Sequence, residues 1–501
     1  METIGWIILC GLSWFVIKGV IVYIAYKRTL STMDSFFVAE RSFGVIVTLF
    51  AWMGTMFSAY MFLGLVGMAY KSGLGVMIQW YIISLMPLSF ILIGIPAWKL
   101  GKKYGYVSPI DLFVDRYESK FLRYWLAIMS LFVCVPYLIM QCVGGGWVLQ
   151  GATGGQIPYW VGVVILAIVM ACYLIPGGFK GMSWVDAVQG GLLSAVLASA
   201  TIFLYLKAGG DLAGVTQKII AAKPLDKLLT IPGLVPVWTY NMFIFMGVMG
   251  FSWGLFPQMY PRYYAARDEK VIVIFALIFG LIAPLMFFHT TILGQITRIL
   301  IPGLTGKQVD SVLALAIGKF APKWLTGMLI AAVFGAIIST SGGFILSAAA
   351  LITKDIYKPL AKGKSEKHVV MVGRILILVI ILISVLIALN PPTYLVFLGL
   401  IAFAVGIQMA PLMFAAYYWP RGNKYGAIAG SLVGMGILIF HLFLGEKYLY
   451  TSLWGIPPGL LAFVPNLAIF IVVSLLTKPS SEETIEKFHG LLKRTYMPKK
   501  G

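Results

Sequence analysis

The chain has 501 residues, of which 60% are hydrophobic and only 11% are charged, and its mean hydropathy is +0.93. Soluble globular proteins carry about 25% charged residues, so this composition excludes a soluble protein and indicates a polytopic membrane protein. The formal net charge of +20 would otherwise suggest a nucleic-acid partner. The basic residues flank apolar runs, however, which relates the charge to membrane topology.

Apolar runs of about 20 residues are long enough to cross a hydrocarbon core of about 30 Å. Most of the 38 Lys and Arg fall in connections that are cytoplasmic if the N-terminus is outside, which predicts an N-out, C-in, multi-pass protein of the cell membrane. The first run lacks the basic region and cleavage site of a signal peptide, so we expect it to remain in the mature protein. In chain order, the runs predict about thirteen transmembrane helices: 4–26, 43–70, 74–98, 124–151, 158–177, 184–208, 237–258, 271–299, 325–353, 369–389, 395–419, 426–445 and 457–477.

Two of the predicted helices are rich in glycine near their middles. The second contains Gly54 and Gly64, and the seventh contains Gly247, Gly250 and Gly254. Helices 2–6 and 7–11 therefore fit two copies of a five-helix unit, the second inverted because the number of helices is odd. Glycine-interrupted spans at corresponding positions indicate a transporter whose site lies at the bilayer midplane. The alternative is that these glycines only allow close helix packing.

The stretch AIISTSGGF, residues 336–344, places hydroxyl groups inside the ninth apolar run. On an α-helix the carbonyl of residue i points toward the side chains of i+3 and i+4, so the carbonyl of Ala336 and the hydroxyls of Ser339 and Thr340 converge. Three neutral oxygens form part of a cage for Na⁺, whereas Ca²⁺ sites usually include carboxylates. A facing helix broken near Gly54 would supply further backbone carbonyls. A Ser/Thr/Gly packing patch is the alternative.

The same region carries a family resemblance. ISTSGGFILSAAALITKDIYKP resembles the signature of the sodium/solute symporter family, in which a hydroxyl pair precedes a (D/E)-hydrophobic-Tyr element, here Asp355 to Tyr357. Four other stretches agree with the family pattern in the right order and together cover most of the chain: FFVAERSFG, GGFKGMSWVDAVQG, FPQMYPRYYAARDEK and YYWPRGNKYGAIAGSLVG.

The resemblance implies an all-α membrane protein with a leucine-transporter-like core of five plus five inverted helices, one extra helix before it and two after it. It also implies Na⁺-driven symport by alternating access, with the solute, Na⁺ and the lipid bilayer as partners and no nucleic acid. The segments that it predicts are 1–42 (first helix and cytoplasmic loop), 43–208 (first repeat), 209–422 (second repeat), 423–478 (two additional helices) and 479–501 (cytoplasmic tail).

The family's sodium site is formed by two carbonyls of the broken first core helix together with a carbonyl and two hydroxyls of the eighth. Asp186, in SWVD, matches an acidic position tied to sodium dependence in some members. A carboxylate that stabilises a helix N-terminus is the alternative for Asp186. The Na⁺ ligands that the resemblance implies are Gly54, Phe57, Ala336, Ser339 and Thr340.

The family places its substrate beside the sodium site, between core helices 1, 2, 3, 6 and 10. Gln408 precedes Pro411 in an otherwise apolar helix, so it either faces the cavity or makes an interhelical hydrogen bond. The polar candidates in these helices are Ser58, Tyr60, Gln79, Gln141, Asn241, Ser252 and Gln408, with Trp253 as a stacking or gating surface.

The expected substrate is a small monocarboxylate or related organic acid. Proline-transporting members carry an acidic residue where this chain has Met56, which argues against pairing with a substrate ammonium group. The sequence offers no obvious buried arginine for a carboxylate, although a half-helix N-terminus binds one through backbone N–H groups. The pattern TMFSAYMFLG resembles the monocarboxylate and pantothenate branch more than the sugar branch. Proline or another amino acid, pantothenate and a sugar remain alternative substrates, and a channel or sensor remains an alternative activity.

Other ionisable residues at membrane depth have simpler interpretations. We expect Lys18, on the peripheral first helix, to extend to the membrane surface, and His289 and His441 to be hydrogen-bonded packing residues. The histidines have no metal-ligand spacing and no catalytic constellation lies at one depth, so an enzyme is not expected. The cysteines, irregularly spaced within predicted spans, indicate neither a disulfide framework nor a metal site: Cys10, Cys134, Cys142 and Cys172.

Overall fold

The computed structural model describes residues 2–28, 36, 39–210, 212–221, 225–235, 238–361, 363–444 and 455–496. Within these ranges the protein is helical, and its β-structure is limited to one isolated bridge between Phe43 and Ala266. The α-helices are α1 (Glu2–Lys27), α2 (Val45–Met56), α3 (Val66–Ser72), α4 (Trp80–Tyr104), α5 (Pro109–Tyr117), α6 (Lys120–Ala152), α7 (Tyr159–Ala208), α8 (Leu212–Ala221), α9 (Tyr240–Ser252), α10 (Tyr260–Ala265), α11 (Glu269–Leu300), α12 (Val312–Phe320), α13 (Lys323–Ala350), α14 (Lys358–Leu360), α15 (Glu366–Ala388), α16 (Leu395–Gln408), α17 (Ala410–Tyr418), α18 (Lys424–Phe443), α19 (Pro458–Leu476), α20 (Glu482–Ile485) and α21 (Leu491–Tyr496).

Short helical turns of other kinds connect several of these helices. The π-helical turns are Tyr60–Leu65, Leu351–Tyr357 and Glu486–Gly490. The 3₁₀ turns are Ala39–Arg41, Gly73–Gln79, Leu225–Leu229, Trp253–Leu255, Pro257–Met259 and Gly306–Ser311.

The helices that the structure describes do not confirm the predicted number of thirteen membrane spans. In the part of the chain that the structure describes, nine helices are long and apolar enough to span, or eleven if two bent pairs each count as one span. The count is lower because helices that follow one another without a gap from Tyr60 to Tyr104 form one segment. In addition, the sixth apolar run follows the bend of α7 at Gly178, where a φ of 52° suits a residue without a side chain, and it is represented in this count only by the shorter apolar segment Leu197–Ala208.

The second predicted span is interrupted, but the interruption is not at Gly54. Helix α2 continues through Gly54 and ends at Met56, after which Phe57 is extended with φ −90° and ψ 104°. The chain becomes helical again near Tyr60. Two polar groups satisfy the freed backbone: Gln141 Oε1 accepts from the N–H of Ala59 at 3.1 Å, and Ser58 Oγ accepts from that of Tyr60 at 3.2 Å.

The seventh predicted span is also bent and extends further than its predicted end at residue 258. Its two parts are Tyr240–Leu255, which contains α9, and Pro257–Ala265, which contains α10. Phe256 between them is extended, and the two parts are bent by 42° relative to each other. The glycines here serve close packing, which was the alternative interpretation. A Cβ at Gly250 would lie 2.4 Å from the carbonyl oxygen of Ile82 in α4, and one at Gly247 would lie 2.4 Å from the Tyr81 ring.

Helix α13 lies at the centre of the molecule. In its most apolar window 89% of the residues are buried, against 17% for the peripheral α1. Helices α1, α2, α6 and α7 all pack against it. The AIISTSGGF stretch is therefore enclosed by protein rather than lipid, which is where hydroxyl groups at membrane depth are tolerated.

The C-terminal tail docks onto the end of the molecule where α5 lies. Its helix begins at Glu482 after the N-cap Ser481. Lys487 forms an ion pair with Asp115 at 2.5 Å, and the buried Arg116 donates to Ser480 Oγ at 2.9 Å. The described residues of the tail therefore form a short helical segment that is docked on the protein.

Candidate functional site

The interrupted α2 meets α13 at Thr340. The hydroxyl of Thr340 donates to the carbonyl oxygen of Thr55 at 2.9 Å, and the carbonyl oxygens of Gly54 and Phe57 lie 3.5 and 3.4 Å from it. Ala336, one turn earlier on α13, is fully buried. The structure therefore brings Gly54, Phe57 and Thr340 together from segments about 280 positions apart.

Gly54 and Ser339 form the closest contact in this group. A Cβ at Gly54 would lie 2.8 Å from Ser339 Oγ and 3.4 Å from the backbone oxygen of Asp186. Glycine is required here for close approach rather than for a positive φ, because Gly54 is helical. The Ser339 hydroxyl is buried and has no hydrogen-bond partner among the described residues.

Asp186, in the second half of α7, borders the same group. Its carboxylate is fully buried, and within the described ranges neither oxygen has a hydrogen-bond partner. The hydroxyls of Ser339 and Tyr173 adjoin it. Asp186 lies about two turns after the bend of α7 at Gly178, beyond the first helical turn in which a carboxylate stabilises a helix N-terminus.

Arg262 is a buried cation that sequence reasoning missed. It lies in α10, is 2% exposed, and donates to Thr55 Oγ1 and, at 2.5 Å, to the carbonyl oxygen of Gln258. A Cβ at Gly343 would lie 2.8 Å from its guanidinium group, so this glycine provides space for it. The expectation that no buried arginine is present was wrong. The motif FPQMYPRYYAARDEK was available in the sequence, but the predicted span ended at residue 258, before Arg262.

Beside the interruption of α2 lies a closed aromatic cavity. Its free volume is about 20 Å³, roughly the space of one water molecule. Phe403 packs against Tyr60 and Trp253, with ring centroids 5.4 and 5.2 Å apart. The lining residues are Met56, Phe57, Tyr60, Met61, Ile82, Ile83, Met86, Tyr137, Trp253, Phe279, Phe287 and Phe403.

Five of the eight substrate candidates lie at or beside this cavity. Trp253 and Tyr60 line it, and the Gln79 side chain adjoins the Tyr60 hydroxyl. Ser58 Oγ lies 3.5 Å from the Tyr137 hydroxyl, and Gln141 binds the freed N–H at the interruption. In the part of the chain that the structure describes, these side-chain atoms are buried without a hydrogen-bond partner: Tyr60 Oη, Gln79 Oε1 and Nε2, Gln141 Nε2 and Trp253 Nε1.

The other three candidates lie elsewhere. Asn241 is in the first turn of α9 and donates to the carbonyl oxygen of Gly455 at 3.2 Å. Ser252 borders a separate cavity between α9, α17 and α19. Gln408 donates to the carbonyl oxygen of Gly459 and accepts from Asn466, so it makes the interhelical hydrogen bond that was its alternative interpretation.

Of the other ionisable residues at membrane depth, the two histidines agree with their predicted roles and Lys18 does not. His289 and His441 each hydrogen-bond the carbonyl four residues earlier on their own helix, at 2.6 and 2.8 Å, as expected of packing residues. Lys18 does not extend to the membrane surface, because it is only 3% exposed.

Two interrupted helices that enclose a buried cavity, with freed carbonyls facing the hydroxyls of a central helix, define the architecture of a secondary transporter. Residues 36–434 match the family model described as the sodium:solute symporter family. The chain therefore belongs to the sodium:solute symporter family.

Individual proteins extend this similarity over almost the whole chain. The chain is 27% identical over 489 residues to a sodium/pantothenate symporter of Haemophilus influenzae, covering 94% of this chain and 95% of the relative. It is 28% identical over 482 residues to the sodium/pantothenate symporter of Escherichia coli, with 92% and 93% covered. It is 27% identical over 490 residues to the sodium/proline symporter of Escherichia coli, with 93% and 92% covered.

Among solved structures, a substrate-bound outward-open state of a Na⁺-coupled sialic acid symporter matches with a TM-score of 0.77 and 18% identity, covering 96% of this chain and 98% of the other. At this identity the likeness shows the fold, which is leucine-transporter-like. The chain is therefore a multi-pass Na⁺-coupled solute symporter and not an enzyme. Its partners are Na⁺ and a small-molecule solute, which it binds within the membrane.

Proposed function

We propose that the coupling Na⁺ binds where the interrupted α2 meets α13, with the carbonyls of Gly54, Phe57 and Ala336 and the hydroxyls of Ser339 and Thr340 as ligands. The proposal is supported by the three carbonyl oxygens within 3.5 Å of the Thr340 hydroxyl. It is also supported by the unpartnered Ser339 hydroxyl and the neighbouring Asp186 carboxylate, both within the described residues. Neutral oxygens suit a hard monovalent cation, and a buried carboxylate offsets its charge.

The substrate that this site suits best is a small monocarboxylate or related organic acid. The observation that carries this proposal is the set of buried N–H and O–H donors at the aromatic cavity, at Tyr60, Gln79, Gln141 and Trp253, which have no protein partner among the described residues. A buried donor without a partner costs about 1–3 kcal/mol, and a carboxylate or carbonyl oxygen of a solute would remove that cost. None of the residues lining the cavity is charged, which disfavours an amino acid with its ammonium group.

The named relatives agree with this chemistry in part. Pantothenate is itself a monocarboxylate, whereas proline combines a carboxylate with an ammonium group. Met56, where the proline branch has an acidic residue, lines the cavity and offers no partner for that ammonium group. Pantothenate therefore falls within the proposed substrate class, and proline is the second candidate.

The substrate must enter by a conformational change, because a cavity of about 20 Å³ holds no organic acid. Alternating access supplies that change: the bent helices α9 with α10, and α16 with α17, move relative to the rest of the core. The bends of 42° and 41° at these two helix pairs support this assignment. We also propose the two repeats as residues 43–208 and 209–422, with the N-terminus outside and the C-terminus in the cytoplasm.

Uptake into proteoliposomes tests this function. With an inward Na⁺ gradient, we expect labelled pyruvate, lactate or pantothenate to accumulate above its external concentration, and replacing Na⁺ with choline to abolish the accumulation. Proline and glucose serve as comparison solutes. Accumulation of proline alone would contradict the substrate class, whereas equilibration of a monocarboxylate without accumulation would indicate a channel.

A further inference from the structure

Lys18 is a charged residue near the middle of α1 that faces the protein. It is 3% exposed, and its ammonium group lies 5.6 Å from the centroid of the Trp14 ring. Its Nζ has no hydrogen-bond partner among the residues that the structure describes. A charge buried at membrane depth is costly unless an opposite charge lies nearby, so the partner of Lys18 must be sought on the neighbouring helices.

The packing of α1 on α13 places Lys18 at the depth of Ser339. A Cβ at Gly327 would lie 2.6 Å from the carbonyl oxygen of Trp6, and Ser339 and Lys18 each follow these contact residues by twelve positions. Lys18 lines one cavity with Gly335 and Ile338 of α13, so α1 and α13 run in the same direction. Both helices rise by about 1.5 Å per residue, so Lys18 and Ser339 reach the same level.

The packing of α13 on α7 places Asp186 at that same level. A Cβ at Gly335 would lie 2.6 Å from Gln189, and one at Gly342 would lie 2.9 Å from Met182. These two contacts show that the helices are antiparallel, and Asp186 and Ser339 fall between them. Lys18 also shares a second cavity with Tyr173, whose hydroxyl adjoins the Asp186 carboxylate.

Asp186 therefore lies near two positive side chains. The charges of Lys18 and Arg262 both act on its carboxylate. One carboxylate, one ammonium and one guanidinium give this group a net charge of +1 before any ion binds. A Na⁺ bound by Ser339 and Thr340 would be attracted by Asp186 and repelled by both cations, and these forces are strong in a medium of low dielectric constant.

We propose that Lys18 sets the Na⁺ affinity of this symporter. Its ammonium group neutralises the charge of Asp186 and repels the bound Na⁺. The inference rests on the Na⁺ site proposed above. Lys18 belongs to the extra helix outside the ten core helices. It does not bind Na⁺ directly but acts through its charge. Its effect is to weaken Na⁺ binding, which favours release of the ion on the side of low Na⁺ concentration.

Na⁺ titrations of the purified full-length protein test the inference. Thermal stability and tryptophan fluorescence are followed while NaCl replaces choline chloride at constant ionic strength. We expect Lys18→Met to lower the half-saturating Na⁺ concentration about tenfold, with Lys18→Gln as a second neutral variant. Lys18→Arg keeps the charge and should remain near the wild-type value. Lys27→Met, at the exposed end of the same helix, is the matched control and should change nothing.

A double variant separates charge from structure. Asp186→Asn alone leaves two unbalanced cations, so we expect the half-saturating Na⁺ concentration to rise at least about tenfold. Adding Lys18→Met to Asp186→Asn should recover part of that loss. If Lys18 only supported packing, all its variants would lower the thermal stability without changing the half-saturating Na⁺ concentration. That result would overturn the inference about Lys18 but not the proposed Na⁺ site. A wild-type protein without any Na⁺ response would overturn the proposed Na⁺ site as well.

Discussion

The hydroxyl of Thr340 donates to the carbonyl oxygen of Thr55 at 2.9 Å, which ties the central helix α13 to the end of the interrupted α2. The interruption leaves carbonyl oxygens without their usual partners four residues later, and Thr340 takes one of them. A cation that enters here would replace the hydroxyl proton as the group that holds these oxygens together. The Na⁺ dependence of the protein should therefore centre on this contact.

Substitution of the hydroxyls tests the contact directly. We expect Thr340→Val, which keeps the branched shape, to raise the half-saturating Na⁺ concentration for uptake at least about tenfold, equivalent to about 1.4 kcal/mol of binding free energy. Ser339→Ala should act in the same direction. Ser341→Ala is the control, because Ser341 donates to Ile337 on its own helix at 2.7 Å. An unchanged Na⁺ dependence in Thr340→Val with Ser339→Ala would contradict the proposed ligands.

The close approach of α2 to α13 gives a second prediction. In Gly54→Ala the new methyl group would lie 2.8 Å from Ser339 Oγ, closer than real Cβ contacts, so either the Ser339 hydroxyl must turn away from the site or the helices must separate. We expect Na⁺-driven uptake to fall at least about tenfold while the protein still folds, since overpacking of this kind costs about 1–3 kcal/mol. Gly436→Ala is the comparison, because that position has open space around it. Equal uptake by the two variants would rule out this steric requirement.

Substitutions at the aromatic cavity should change the half-saturating concentration of the substrate, which is measured at saturating Na⁺. Tyr60→Phe removes a buried hydroxyl at the aromatic cavity, so we expect the half-saturating substrate concentration at saturating Na⁺ to rise about tenfold, because one hydrogen bond to a charged group is lost. Asn241→Ala should have no effect, since Asn241 binds the carbonyl oxygen of Gly455 away from the cavity. The opposite pattern would place the substrate near Asn241 and refute the assignment. Concentration-dependent uptake measures both variants.

Asp310 predicts a pH dependence of stability. This residue lies in the turn Gly306–Ser311, between the spanning helices α11 and α13, and its carboxylate accepts from the N–H of Leu395 at 2.9 Å. Burial raises the pKa of Asp310 to about 7, against the opposing effects of that hydrogen bond and of Lys71. Because its pKa is raised in the folded state, its contribution to stability is present at low pH and is lost as the pH rises from about 4 to about 7.

Asp310→Asn removes this titration and keeps an oxygen to accept from Leu395. We therefore expect the variant to be more stable relative to the wild type at pH 8 than at pH 5, as measured by thermal unfolding of the purified protein. Asp268→Asn, at an exposed helix start, provides a control carboxylate. Melting temperatures of wild type and Asp310→Asn that change in parallel between pH 5 and 8 would show that Asp310 does not titrate in this range.

Sequence reasoning nominated the residues of the proposed site but not its exact construction. The trio Ala336, Ser339 and Thr340 followed from helical geometry alone, because the spacing of i, i+3 and i+4 is a property of every α-helix. Gly54 was nominated as the place where a helix breaks, yet the helix ends at Met56, after Gly54. The actual position depends on Gln141 and Ser58, which satisfy the freed N–H groups, and those contacts are not visible in a local pattern.

The two buried cations, Arg262 and Lys18, were also misplaced because tertiary contacts are not visible in a local sequence pattern. Arg262 was placed after the end of a span, and Lys18 was expected at the membrane surface, because a charged residue near an apolar run is ordinarily solvated. In the folded protein, α10 continues the bent span and α1 packs on α7 and α13, which buries both residues beside Asp186. Only the packing of three separate segments determines that the charges of Lys18 and Arg262 both act on Asp186.

The sequence by itself determined that the protein is helical, polytopic and embedded in a membrane, and its motifs assigned it to a family of Na⁺-coupled symporters. These properties depend on the length of apolar runs and on local residue order, which the chain carries without folding. The tertiary structure alone decided where the helices are interrupted, which polar groups share a cavity, and that Gln408 binds Gly459 and Asn466. Those features arise from contacts between residues far apart in the chain, whose energies depend on distance and burial.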